Sequence, residues 1–81
     1  MRLDNFLSTV GVIKRRTIAK KLADAGMIEV NGAKAKAAYT VKVNDIIVIK
    51  GTSGRTLEVL ALPVGSVPKA ERETYFKPLS S

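Results

Sequence analysis

The stretch KRRTIAKKLADAGMIEVNG, residues 14–32, decides the fold. Ile18, Ala19, Leu22 and Ala23 recur at helical spacing, so the segment from about Arg15 to Ala25 reads as a helix that turns these four residues inward. Gly26 stands where a helix closes on a left-handed residue, which glycine adopts without a Cβ penalty. Residues 27–30 then read as a short strand, and Asn31-Gly32 is the strongest short-range signal for a two-residue hairpin turn. Helix, stop and hairpin follow one another without a linker.

Upstream, Leu3, Phe6, Leu7 and Val10 share one helical face, with Asp4 in the first turn and Gly11 as the stop. A helix of about two turns is unstable alone in water, so this face must be packed on the rest of the chain. Downstream, Ala33-Lys34-Ala35-Lys36-Ala37 alternates small and cationic residues, and an extended backbone puts Lys34 and Lys36 on one face. Val41 and Val43 lead to a turn at Asn44-Asp45. Ile46-Ile47-Val48-Ile49 is the most strand-like run and is expected at the centre of the sheet, paired with the alternating run 55–60. These elements predict an α+β fold, two short N-terminal helices packed on a small, mainly antiparallel sheet, over residues 1–62. From Pro63 the pattern breaks, and Pro63, Gly65, Pro68 and Pro78 punctuate a C-terminal tail, residues 63–81. A short helix within residues 69–76 is expected there, with Tyr75 and Phe76 able to dock on the domain or on a partner.

Composition narrows the function. At 81 residues the chain has room for one small domain and not for a large enclosed active site. It contains no cysteine and no histidine, which removes disulfides, thiolate and imidazole metal ligands and the commonest general base. Asp4, Asp24 and Asp45 show no catalytic spacing, so neither enzyme, cofactor nor metal is expected. The opening residues resemble neither a signal peptide nor a membrane span, and the expected location is cytoplasmic. The net charge is +7, and residues 14–42 hold eight Lys or Arg against two acids, +6 of that total. So uneven a distribution marks a polyanion binder. A membrane-surface helix would need bulky apolar residues where the second helix has mainly alanines. A duplex-DNA reader would need base-reading Asn or Gln on that helix. The only aromatics are Phe6, Tyr39, Tyr75 and Phe76, too few for a stacking platform, which favours a folded RNA surface read by shape and backbone.

The order of motifs resembles a known family. Arg2-Leu3-Asp4 with Phe6-Leu7, Arg16-Thr17-Ile18-Ala19, Gly26, Val30-Asn31-Gly32, Val41 and Asp45-Ile46 are similar to the signature of the S-four domain, the alpha-L RNA-binding motif, over roughly residues 1–50. The run Ile13-Lys14-Arg15-Arg16-Thr17 resembles its stand-alone heat-shock-protein-fifteen group and, within that, the ribosome-associated quality-control branch. Arg15 stands where many members have a serine cap, Asn5 where lysine is common and Asn44 where glycine is common. The resemblance implies a binding factor on stalled large ribosomal subunits, touching ribosomal RNA and peptidyl-tRNA. It would assist C-terminal tailing of the stalled chain by a tRNA-recruiting partner protein. The alternative is a general subunit recycler.

The expected site follows from chemistry and resemblance together. Lys14, Arg15 and Arg16 crowd a helix N-terminus, where the dipole disfavours cations and free N–H groups favour phosphate. The alternatives are ordinary solvated cations or a helix that starts at Thr17. With Lys20 they are expected to grip phosphates from the helix, while Lys34 and Lys36 contact the other side of a groove and Arg2 completes the patch. Asp4 would orient Arg2 or cap its helix, and Asn31 and Gly32 would support the hairpin. The chain is expected to act as a monomer.

Overall fold

The computed structural model describes residues 1–51, 54–65 and 67–79. Two helices, α1 (Leu3–Thr9) and α2 (Arg16–Asp24), precede strands β1 (Ile28–Val30), β2 (Ala33–Lys34), β3 (Ile46–Ile49), β4 (Arg55–Val59) and β5 (Phe76–Leu79). A 3₁₀ helix, Lys69–Thr74, leads into β5. The strands form one antiparallel sheet in the order β2-β1-β3-β4-β5, so β3 is central, as its unbroken apolar run requires.

Turn chemistry fixes the local geometry where the sequence indicated it. Gly26 has φ +75°; its N–H donates to the Ala23 carbonyl at 3.0 Å, and the Met27 N–H to that of Leu22 at 2.9 Å, the paired bonds of a Schellman close. Asn31 and Gly32 both take positive φ, 54° and 85°, as a type I′ turn demands. Val30 lies opposite Ala33 across that turn.

The core is one cluster. Leu3, Phe6 and Leu7 of α1 and its C-cap Val10 meet Ala19 and Ala23 of α2 and the inward residues of the sheet, Ile28, Ile47, Leu57 and Val59 among them. The inward face of α2 is narrower than the expected four residues. Ala19 and Ala23 are buried, Leu22 is half-buried, and Ile18 is 44% exposed. Alanines one turn apart let the helices approach closely, so the contact line runs along them and Ile18, one residue round the helix, is left outside it.

The segment after Pro63 holds more structure than a short helix. Residues 76–79 form β5 along the edge of β4, Phe76 opposite Val59, and the Phe76 ring is 5% exposed in the core. Pro78 lies within this strand, and an outer strand tolerates the missing N–H that a central one does not.

Candidate nucleic-acid interface

The N-terminal residues are laid along the loop that follows β2. Leu3 N–H donates to the Tyr39 carbonyl at 2.8 Å, Asp4 N–H to that of Ala37 at 3.2 Å, and Val41 N–H to that of Met1 at 2.8 Å. Arg2 forms an antiparallel bridge with Thr40. This seam brings the Arg2-Leu3-Asp4 start of α1 beside the loop that carries Lys36.

One buried acid organises the cations at this end. Asp4 is 2% exposed, and its carboxylate receives Arg2 Nε on Oδ1 at 3.2 Å, Arg2 Nη2 on Oδ2 at 3.4 Å, Arg16 Nε on Oδ2 at 3.2 Å and the Asn5 N–H on Oδ1 at 2.8 Å. Burial pushes the Asp4 carboxyl up, but the hydrogen bonds from Arg2, Arg16 and the Asn5 N–H, with the Arg16 charge, outweigh it and hold the group below its usual 3.8. The carboxylate therefore stays ionised between two arginine side chains that are themselves 48% and 51% exposed. Arg16 bonds Asp4 through its Nε, and its half-exposed side chain keeps two Nη groups that suit a phosphate. Asp4 orients both arginines, rather than Arg2 alone.

The remaining cations fall into place around α2. Arg15 is its N-cap, extended at φ −127° and without a capping side-chain bond, so no side chain occupies the first N–H groups of the helix. Lys14 lines an open cleft of about 670 Å³ together with Arg16. Lys20 is exposed one turn beyond Arg16. Lys34 and Lys36 border a second groove, of about 320 Å³, against the C-terminal turn of α2. There the Lys34 ammonium lies over Gly26, 3.5 Å from where a Cβ would stand, close to the helix end that attracts cations. Glu29, opposite Lys34 across β1 and β2, is bound at 2.6 Å by Lys50. The structure thus joins Arg2, Asp4 and Arg16 by hydrogen bonds, with Lys14 beside Arg16, and sets Lys34 and Lys36 in a separate groove against the C-terminal turn of α2, while the backbone next to Lys36 adjoins Asp4 through Ala37.

Asn31 does more than turn the chain. Its Nδ2 donates to Asp45 Oδ1 at 3.1 Å, while its Oδ1 accepts the Ile46 N–H at 3.0 Å, so the hairpin is bolted to the turn before β3. Asp45 Oδ2 also accepts the Tyr39 hydroxyl and the Lys42 N–H, each at 2.9 Å. This second buried acid, 6% exposed, was not singled out by the sequence reading as a supporting residue. Its signal in the sequence is an acid directly before the apolar run Ile46–Ile49, in the turn Asn44-Asp45. Among the described residues, no group of acids is placed to hold a metal ion.

A helix pair on an antiparallel sheet, with a hairpin edge and an acid-ordered arginine pair, defines a class of RNA-binding module, and the match to the family model described as the S4 domain covers residues 1–47: the chain belongs to the S4 domain family. More particularly, it is 35% identical over 80 residues to the RQC P-site tRNA stabilizing factor of Helicobacter pylori, which covers 96% of this chain and 95% of that one. Proteins of the same description from Streptococcus pneumoniae and Bacillus subtilis are 52% and 50% identical over 50 residues, 62% of this chain. Those alignments span somewhat over half of the two relatives, 57% and 58% of their lengths. Among solved structures, a hypothetical protein determined in solution superposes with a TM-score of 0.83 at 32% identity, covering 100% of this chain and 99% of that one. Heat Shock Protein 15 of Vibrio cholerae, described as trimeric, superposes with a TM-score of 0.89 at 21% identity, over 99% of this chain and 82% of that one, and shares the fold.

Proposed function

We propose that this chain is a ribosome-associated RNA-binding factor that holds tRNA and ribosomal RNA on large subunits still carrying peptidyl-tRNA after a stall. It thereby assists C-terminal tailing of the stalled chain by a tRNA-recruiting partner. The observation that carries the reading is the arginine pair at Asp4: two forked cations, aimed by one buried carboxylate, on a fold whose relative of nearly equal length is described as a P-site tRNA stabilizing factor. The protein acts by binding and catalyses no step, in the cytoplasm where ribosomes work. Arg2, Lys14, Arg15, Arg16 and Lys20 grip phosphates at one end of α2, and Lys34 and Lys36 at the other.

Gradient sedimentation of the tagged protein from cells with stalled ribosomes tests this. Co-migration with large subunits bearing peptidyl-tRNA supports the reading. Co-migration with large subunits that lack tRNA favours a general recycler, and absence from that fraction sinks both. Arg16→Ala is expected to weaken tRNA binding and to reduce the log–log salt slope by about 0.7–0.9, the loss of one phosphate contact. An unchanged slope removes Arg16 from the interface.

A further inference from the structure

The 3₁₀ helix outside the matched region adds a cation to the same face. Arg72 runs from that helix across the end of α1, where its Cδ lies 2.9 Å, and its Nη1 3.1 Å, from the position a Cβ on Gly11 would take. Gly11 suits its φ of +79°, and a side chain there would displace Arg72 from this path. Beyond Gly11, Arg72 lines the cleft already occupied by Lys14 and Arg16. Its Nε is buried without a hydrogen-bond partner, and among the described residues no carboxylate pairs with it. Among the described residues no acid lines the cleft, whose other wall is the polar face of α1, Asn5, Ser8 and Thr9. Three cations converging on a concave surface, with neither acid nor aromatic among the described residues that line it, suit a sugar-phosphate backbone and not a stacked base.

We infer that this cleft, between α1 and the 3₁₀ helix, seats a phosphodiester of the bound RNA backbone, with Arg72 closing the grip that Lys14 and Arg16 begin. The inference rests on the RNA-binding reading and extends the interface from residues 1–47 to the C-terminal segment. Arg72 is built into the cleft rather than left on the surface: its stem is held against Gly11, so the charge is presented at a fixed place.

Bulk tRNA is the probe, bound to the full chain over a salt series. Arg72→Gln is expected to lower the log–log slope by about 0.7–0.9 and the affinity by about tenfold. Lys77→Gln removes the same charge from an exposed position on β5, and is expected to stay within about twofold of the parent. Equal losses in the two variants, or none in Arg72→Gln, overturn the inference. Arginine-directed chemical modification of the unaltered chain, read by mass spectrometry with and without tRNA, decides the matter even where Arg72→Gln does not fold. Protection of Arg72 together with Arg2 and Arg16 supports the cleft. Protection of Arg2 and Arg16 with Arg72 still modified overturns it, whereas protection of none would count against RNA binding itself.

Discussion

Asp4 sits among cations whose partner is a polyanion, and its charge taken alone opposes binding. The geometry assigns it the opposite effect, because both arginines depend on its oxygens for their direction. Asp4→Asn raises the net charge by one and offers only one acceptor oxygen. It is expected to weaken tRNA binding by about tenfold, on the scale of a lost charge-assisted hydrogen bond, in filter binding at fixed salt. Tighter binding would show that Asp4 acts only as a local charge. Half of this arrangement was legible in the sequence. Arg2 and Asp4 are two residues apart and open a helix, but Arg16 lies on another element, and no periodicity within one helix predicts that it reaches the same carboxylate.

At the scale of elements, the legible parts were those fixed by local chemistry. Gly26 closes α2, Asn31-Gly32 makes the hairpin, and the apolar run at 46–49 pairs with the alternating run at 55–59, because each depends on residues close in sequence. The outward turn of Ile18 and the strand at residues 76–79 depend on what packs against them, which a single segment does not reveal. The clasp between the hairpin and the turn before β3 belongs to the same class. Burial pushes the Asp45 carboxyl up, and the hydrogen bonds from the Lys42 N–H, Asn31 and Tyr39, with the Lys42 charge, hold it below the usual 3.8. A carboxyl lowered on folding contributes stability that is fully present above its ordinary value and is lost as pH falls through the lowered one. The melting temperature is therefore expected to be flat above about pH 5 and to drop below about pH 4, with a shallower drop in Asp45→Asn, followed by circular dichroism. An equally steep drop in that variant would place the acid sensitivity elsewhere, Asp4 being the next candidate.

The molecule as a whole joins its two halves through β4 and β5. Phe76 is the only aromatic ring that the C-terminal segment buries in the core among the described residues, and its strand brings the 3₁₀ helix back over α1. Phe76→Ala is expected to cost about 3–5 kcal/mol, measured by urea denaturation. A loss below about 1 kcal/mol would mean that β5 is dispensable to the fold. The hydrogen bonds at Asp4 carry a further consequence once the encounter with RNA is considered. Side chains as long as arginine ordinarily surrender conformational entropy when a partner fixes them, about 0.5–1.5 kcal/mol each. Here Arg2 and Arg16 are already bound to the same carboxylate, so much of that ordering occurs during folding and not on contact. Affinity is thereby coupled to the integrity of the fold, and a substitution far from the interface that loosens α1 weakens the grip without touching a single phosphate contact.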